Sequence, residues 1–173
     1  SIISSLFVDG RDDEFDIVAC DPPISFDWSN IKDQILSDSL HPNSPYFYGI
    51  PGINDGEVLF LQKIISLVTD KHIRIGIYLK NSLLNSNNAD MSRIRSHIIK
   101  SDLIESIIKL PNKMDDDRSI WILDNKKEET YIGKIQLIDL NHYNPKSIDF
   151  LSNDYNNSVI DKKKNQIVQL ENQ

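Results

Sequence analysis

The feature of this sequence that most constrains its fold is a series of short runs rich in β-branched residues, separated by stretches with helical periodicity. Such runs are typical of strands. We predict strands over residues 15–20, 73–79, 103–110, 119–123 and 132–140. The first and third runs are almost continuously apolar, which is typical of strands that are covered on both faces.

Two stretches between these runs predict helices. Residues 57–69 place an apolar stripe on one face at helical spacing, and residues 90–100 do so over a shorter length. The stripes consist of Phe60, Leu61, Ile64, Ile65 and Val68 in the first helix, and of Met91, Ile94, Ile98 and Ile99 in the second. Strands that alternate with helices indicate an α/β fold, in which helices flank a mostly parallel sheet.

The composition is that of one soluble globular domain. The 173 residues are 39% hydrophobic, which is enough for a core and too much for a disordered chain. No apolar run approaches the roughly 20 residues of a membrane span, and residues 1–5 do not resemble a signal peptide. The single cysteine, Cys20, excludes an internal disulfide, so we expect a packed thiol and a cytoplasmic protein. No Cys/His cluster has the spacing of metal ligands.

The formal net charge of −7 counts against a domain that grips a nucleic-acid backbone by itself, because neutralising phosphates requires clustered Lys and Arg. An acidic subunit can still act on nucleic acid when a partner supplies the basic surface. Arg93 and Arg95, in the second predicted helix, either contact phosphate or belong to a solvated helix face.

Two segments do not fit simple packing. Residues 25–56 form a long connection, which in a compact domain is typical of a functional or mobile segment. Its aromatic residues Tyr46, Phe47 and Tyr48 either reach a splayed base or a partner protein, or anchor the connection hydrophobically. We place a boundary at residue 141 and interpret residues 142–173 as a polar tail that is weakly structured or adds a helix.

The sequence Asp21-Pro22-Pro23 follows the first predicted strand. In open α/β sheets, ligands bind outside the carboxyl ends of the strands. Two successive prolines fix the backbone, so the carboxylate of Asp21 and the carbonyl of Pro22 can together accept hydrogens from a planar amine. The alternative is a stiff strand exit and surface turn without a ligand.

Five blocks in this order resemble the adenine-N6 DNA methyltransferases, in particular the modification subunit of type I restriction-modification systems. The resemblance runs from about Phe7 to Asn141. The strand and its Asp-Pro-Pro motif match the Asn/Asp-Pro-Pro-aromatic motif of that family. The blocks read EFDIVACDPPISFDW, GEVLFLQKIISLV, HIRIGIYLKNSLL, MSRIRSHIIKSDLIESIIKLPNKM, and the pair SIWILDNKK and KIQLIDLN.

The resemblance implies a role for each residue of the motif. The target adenine is flipped out of the DNA duplex, and Asp21 and the Pro22 carbonyl hold its amino group. Pro23 stiffens the turn, Ile24 covers the base, and the methyl donor is S-adenosylmethionine. At the same rim of the sheet, Asn81 either faces the substrate or caps a helix.

The chain departs from the family pattern at three places. Position 24 is normally aromatic, and stacking there is worth roughly 1–3 kcal/mol. Phe26 and Trp28 either compensate for Ile24 or belong to the core. The loop after Pro111 is short and lacks the usual Phe and Thr. The only glycine before Asp21 is Gly10, which is not the glycine-rich turn of the cofactor site.

These departures predict the carboxyl-side half of a methyltransferase domain, a partial Rossmann-like fold whose amino-terminal cofactor-binding strands are missing. The first strand would then lack a neighbour on one side, and an uncovered apolar edge favours aggregation. We expect this edge to be part of a longer protein, to pair with a second copy, or to be covered by the tail.

Three functional hypotheses remain open at this point. The first is part of a DNA adenine methyltransferase that is inactive by itself and that works with DNA, a specificity subunit and, in some systems, a nuclease subunit. The second is a degenerate, methyltransferase-like scaffold that assembles with a specificity subunit. The third is an unrelated α/β domain, although the chain has neither a phosphate-binding glycine loop nor a serine nucleophile elbow.

Overall fold

The computed structural model describes Leu6, residues 15–111 and 117–141, and the backbone of residues 165–169. Over these residues the chain forms a sheet with helices between its strands. The strands are β1 (Ile17–Cys20), β2 (Arg74–Lys80), β3 (Ile104–Lys109), β4 (Arg118–Asp124), β5 (Lys134–Asp139) and β6 (Asn165–Gln169). The helices are α1 (Lys32–Ser39), α2 (Glu57–Ser66), α3 (Ser82–Asn85) and α4 (Ala89–Lys100), with short 3-10 turns at Ser29–Ile31 and Glu129–Tyr131.

The spatial order of the strands is β1-β2-β4-β3-β5-β6. The pairs β1–β2 and β3–β5 are parallel, whereas β4 is antiparallel to both of its neighbours and β6 is antiparallel to β5. Strands β1, β2, β3 and β5 therefore point in one direction, which confirms the prediction of a mostly parallel sheet. Strand β4 runs the other way because the connection from β3 is too short for the crossover that a parallel neighbour requires.

Helices α2 and α4 cover one face of the sheet. The main core contains Val58 and Leu61 from α2, and Met91, Ile94 and Ile98 from α4. They pack on buried residues that alternate along the strands, namely Ile75, Ile77, Leu79, Ile107, Trp121 and Leu123. The period of about 3.6 in the helices and 2 in the strands is the pattern from which both types of element were predicted. All five predicted strands and both predicted helices are present.

The long connection builds a second hydrophobic cluster instead of an open loop. Its centre consists of Leu6, Trp28, Ile35, Tyr46, Leu59 and Phe60, so α2 has apolar residues in both clusters. The indole of Trp28 donates to the carbonyl of Gly52 at 2.9 Å, and the hydroxyl of Tyr46 donates to the carbonyl of Leu6 at 2.9 Å. Tyr46 is therefore an anchor of the connection.

Strand β1 lies at one edge of the sheet and pairs only with β2 among the described residues. Ile17 is 76% exposed and Ala19 is also exposed, so the prediction that this strand is covered on both faces is wrong for this part of the chain. The reason is that only the face with Val18 and Cys20 meets the main core. The expectation of an edge without a neighbour is confirmed within the described residues.

The tail requires a correction. Residues 165–169 form a strand, β6, which pairs with β5, so this part of the tail adds no helix and residue 141 does not end the sheet. The sequence there contains the β-branched residues Ile167 and Val168, which favour a strand at an open sheet edge. Since β6 lies at the edge opposite to β1, this strand does not cover the β1 edge. Residues 142–164 and 170–173 lie outside the described residues.

Candidate functional site

The predicted site lies at the carboxyl end of β1. Strand β1 ends at Cys20, and Asp21 follows as an exposed residue. Within the described ranges, its carboxylate has neither a hydrogen bond nor an ion pair. Pro22 is buried and Pro23 is half-buried, so the prolines fix the backbone while the carboxylate faces outward.

The turn after Pro23 is held by the neighbouring strand. Strand β2 ends at Lys80, three residues beyond Ile77, the partner of Cys20 in β1. The ammonium of Lys80 donates a hydrogen bond to the hydroxyl of Ser25. Ser25 has φ 47°, a left-handed conformation that is uncommon for residues other than glycine. The hydrogen bond therefore joins β2 to the residue of the turn that has the left-handed conformation.

Residues at the amino end of α2 pack against the same turn. Phe26 packs edge-to-face on Phe60, with ring centroids 5.9 Å apart. A Cβ atom on Gly56 would lie 2.5 Å from both the ring and the carbonyl of Phe26, so only glycine fits there. This close approach brings the next residue, Glu57, to the same end of the sheet.

Glu57 is a buried carboxylate at this rim. It is 3% exposed, and neither of its oxygens has a hydrogen-bond partner among the described residues. Burial raises the pKa of Glu57, and the Asp55 carboxylate adds to the rise; the backbone N–H of Glu57 itself, Lys80 and Arg118 oppose it. Arg118 in β4 is the register partner of Lys80 in β2. Its guanidinium lies 4.6 Å above the centre of the Tyr78 ring, which is a cation–π contact. The rim thus carries a cluster of charges around the turn.

Cys20 precedes Asp21 at the end of β1. Its thiol is half-buried, and burial, followed by the nearby Asp21 carboxylate, raises its pKa. A thiol with a raised pKa is a poor nucleophile, which fits a packed residue. Among the described residues, no group of three potential ligands comes together to hold a metal ion.

The predicted site residues divide into two groups. Asp21 and Ile24 lie at the exposed face, with Ile24 51% exposed, and the two prolines form the turn between them. Phe26 is half-buried and packs against the second hydrophobic cluster. Trp28 is 1% exposed and is part of that cluster. Trp28 therefore has no exposed ring that could stack on a base in place of an aromatic residue at position 24.

Asn81 was predicted either to face the substrate or to cap a helix, and it lies buried directly after β2. It is 2% exposed, and its amide donates to the carboxylate of Asp117 at 2.7 Å and accepts from the hydroxyl of Ser119 at 2.7 Å. Ser119 in turn accepts from the indole of Trp121 at 2.9 Å. Asn81 precedes α3 without a capping hydrogen bond from its side chain. The residue therefore joins β2 to β4 and does not face open space.

Lys80, Ser25 and Glu57 were missed in the sequence. Their roles depend on contacts between segments that are far apart in the chain, and lysine, serine and glutamate are common at surfaces. The one available signal was Glu57 itself, an acidic residue at the start of an otherwise apolar helix.

Comparison with known proteins shows to which family the chain belongs. The family model described as N-6 DNA methylase matches residues 4–170, nearly the whole chain. The chain belongs to the N-6 DNA methylase family. The resemblance to adenine-N6 DNA methyltransferases is thereby confirmed. No curated protein sequence matches the chain.

Solved structures with the same fold include three methyltransferases. The first is the methyltransferase subunit of a type I restriction-modification system from Streptococcus thermophilus, with 23% identity and a TM-score of 0.57 over 78% of this chain and 29% of that chain. The second is the M protein of the type I restriction enzyme EcoKI, with 15% identity and a TM-score of 0.52 over 79% of this chain and 27% of that chain.

The third is a protein from Listeria monocytogenes described as a class I S-adenosylmethionine-dependent methyltransferase, with 19% identity and a TM-score of 0.52 over 78% of this chain and 39% of that chain. The fold of this chain is therefore the α/β fold of the class I methyltransferases. The chain spans well under half the length of these three structures.

The described residues do not form a cradle for S-adenosylmethionine. No glycine-rich turn follows a strand at this rim in the described ranges, and Gly49, Gly52 and Gly56 all belong to the connection before α2. In the part of the chain that the structure describes, no helix combines the length and the apolar character that crossing a membrane requires.

Proposed function

We propose that this chain supplies the adenine-binding wall of a site-specific DNA adenine-N6 methyltransferase in a restriction-modification system. The observation that carries the proposal is the exposed carboxylate of Asp21 at the carboxyl end of β1, in front of two prolines. Family membership supports the reaction class. Lys80 and the amino end of α2 support the turn that presents this carboxylate.

In this proposal, Asp21 and the Pro22 carbonyl accept the two hydrogens of the exocyclic amino group of an adenine that has been flipped out of the duplex. The carboxylate also stabilises the positive charge that develops on the amino nitrogen during methylation. Because the turn is rigid before the base arrives, little conformational entropy is lost on binding. Ile24 would contact the face of the base.

The methyl group would come from S-adenosylmethionine, which other parts of a longer protein would bind. We propose that this chain is inactive by itself, that it acts in the cytoplasm, and that its partners are DNA and a specificity subunit, with a nuclease subunit in a complete restriction system. The open edge of β1 would pair with a further strand of such a protein or with a second copy.

The direct test is the variant Asp21→Ala in the longer protein that carries this domain. We expect transfer of a labelled methyl group to duplex DNA to fall about 100-fold or more, because a preorganised group at the developing charge is lost. The control is Asp33→Ala, which removes an exposed carboxylate in the first turn of α1. Unchanged methylation by Asp21→Ala would reject the catalytic assignment.

A second candidate function is a degenerate scaffold that assembles with a specificity subunit. The exposed Ile24 favours it, since the position lacks an aromatic ring, Trp28 is buried, and Phe26 is half-buried against the second hydrophobic cluster. Substituting Ile24→Tyr separates the two functions. For an active enzyme we expect tighter binding of DNA with 2-aminopurine at the target position, by roughly 1–3 kcal/mol per stacked base. A scaffold would show no fluorescence change with either residue.

A further inference from the structure

The surface along α4 forms a hollow that the proposed methyltransferase site does not use. Its volume is about 490 Å³, and it is lined by Phe47, Tyr48, Arg93, Ser96, His97 and Lys100. We call it the aromatic–basic hollow. Phe47 and Tyr48 belong to the long connection before α2, and the other lining residues belong to α4.

The aromatic side chains of the hollow are held in place and yet accessible. The ring of Tyr48 lies parallel to the imidazole of His97, with centroids 3.4 Å apart and an angle of 8° between planes. Phe47 meets Tyr48 edge-to-face at 5.5 Å. A Cβ on Gly49 would lie 2.8 Å from the carbonyl oxygen of Asp90, so the connection is pressed against α4 here. Phe47 and Tyr48 nevertheless remain 45% and 41% exposed.

The helix side of the hollow is basic, although the chain as a whole carries a net charge of −7. Arg93, His97 and Lys100 are spaced by four and three residues, so they share one face of α4. Burial lowers the pKa of His97, which leaves Arg93 and Lys100 as the cations at neutral pH. Arg95, by contrast, points elsewhere and donates to the carbonyls of Leu83 and Ser86.

The small number of cations in the hollow argues against DNA as its occupant, because binding to a phosphate backbone requires clustered Lys and Arg. Arg93 also forms an ion pair with Asp90, which reduces its attraction for a phosphate. Exposed aromatic rings beside an arginine are, in contrast, the composition of protein–protein hot spots.

We propose that the aromatic–basic hollow docks a segment of a partner polypeptide that presents an apolar side chain flanked by carboxylates. The apolar side chain covers the exposed edges of Phe47 and Tyr48, and a neighbouring carboxylate faces Lys100. The proposal does not depend on the methyltransferase reaction, because none of these residues belongs to the Asp21 turn.

The test uses the full chain, isotope-labelled for NMR, and four probes. The first probe is a peptide with Leu-Phe between glutamate triplets; in the second, lysines replace the glutamates; in the third, serines replace Leu-Phe. The fourth is a single-stranded thymidine oligonucleotide. We expect only the first peptide to shift the ring signals of Tyr48 and the amide signals of Ser96 and Lys100.

Variants then locate the binding site. We expect Lys100→Glu, and separately Tyr48→Ser, to weaken the first peptide at least fivefold, which corresponds to about 1 kcal/mol. Lys126→Glu makes the same charge change on an exposed residue after β4 and should leave binding unchanged. Lys100 is exposed, so its variant reports on binding even if Tyr48→Ser unfolds. Equal binding of the first three peptides, preferential binding of the oligonucleotide, no binding, or insensitivity to Lys100→Glu would overturn the proposal.

Discussion

Lys80, the last residue of β2, donates a hydrogen bond to Ser25 in the turn that follows β1, although 55 residues separate them in the chain. Ser25 adopts a left-handed backbone conformation there. Pro22 and Pro23 restrict the backbone at the start of the turn, and the contact between Lys80 and Ser25 restricts it at the end. The conformation that presents Asp21 therefore depends on a neighbouring strand as well as on the local sequence.

Substituting Lys80→Met should loosen this turn without unfolding the domain. A partly exposed hydrogen bond to a charged group contributes about 1 kcal/mol, so amide hydrogen exchange at Ser25 and Phe26 should become roughly fivefold faster. The global free energy of unfolding should fall by no more than about 1 kcal/mol. Lys32→Met, on the exposed face of α1, is the control. Exchange rates equal to those of the unsubstituted chain would show that the turn does not depend on the hydrogen bond from Lys80.

Gly56→Ala should destabilise the protein although alanine is the better helix former. The added methyl would lie 2.5 Å from the ring and the carbonyl of Phe26, which forces the turn away from α2. Overpacking of this kind typically costs about 1–3 kcal/mol, measurable by urea unfolding. Gly76→Ala in β2 is a matched control, because its methyl would meet only the side chain of Ile122 at 3.8 Å. Equal stability of the two variants would contradict the close contact.

Asn81→Ala tests whether this residue acts through structure. The variant removes the acceptor of the buried Ser119 hydroxyl and a donor to the Asp117 carboxylate. The free energy of unfolding should therefore fall by about 1–3 kcal/mol. Asn85→Ala changes an exposed asparagine in α3 and should have little effect. If Asn81 instead contacted a substrate, its variant would keep its stability and lose only DNA binding.

The strands and the two long helices could be predicted because their core residues repeat at the period of the element. Ile75, Ile77 and Leu79 alternate in β2, and Met91, Ile94 and Ile98 repeat at helical spacing in α4. Helix α1 was missed because only Ile35 in it is buried, so its pattern is weak. The antiparallel direction of β4 was not evident either, since an apolar run has the same pattern in parallel and antiparallel sheets.

The site could be predicted only where it is local in sequence. Asp21 and its prolines are adjacent, so the exit from β1 specifies them together. For Phe26 and Asn81, a substrate contact and a structural role both stayed open, because their partners in the fold, Phe60 and Asp117, lie 34 and 36 residues further along the chain. Such contacts depend on tertiary packing, which a single sequence pattern does not contain.

Glu57 gives the structure a pH dependence that can be measured. Burial raises its pKa in the folded chain above the unfolded value of about 4.3. The folded state then keeps the proton to higher pH than the unfolded state, so the contribution of this group to stability falls as the pH rises above the unfolded pKa and through the folded one. At neutral pH the group is therefore destabilising.

Glu57→Gln removes the charge and keeps the size of the side chain. We expect the variant to be more stable than the unsubstituted chain at pH 7, on the order of 1 kcal/mol, and the difference to vanish below the unfolded pKa, where the glutamate is protonated. Urea unfolding at several pH values measures both. Glu128→Gln, at an exposed position, controls for the change in net charge. A variant that is less stable at pH 7 would mean that the attraction of Lys80 and Arg118 for the carboxylate outweighs the cost of its burial.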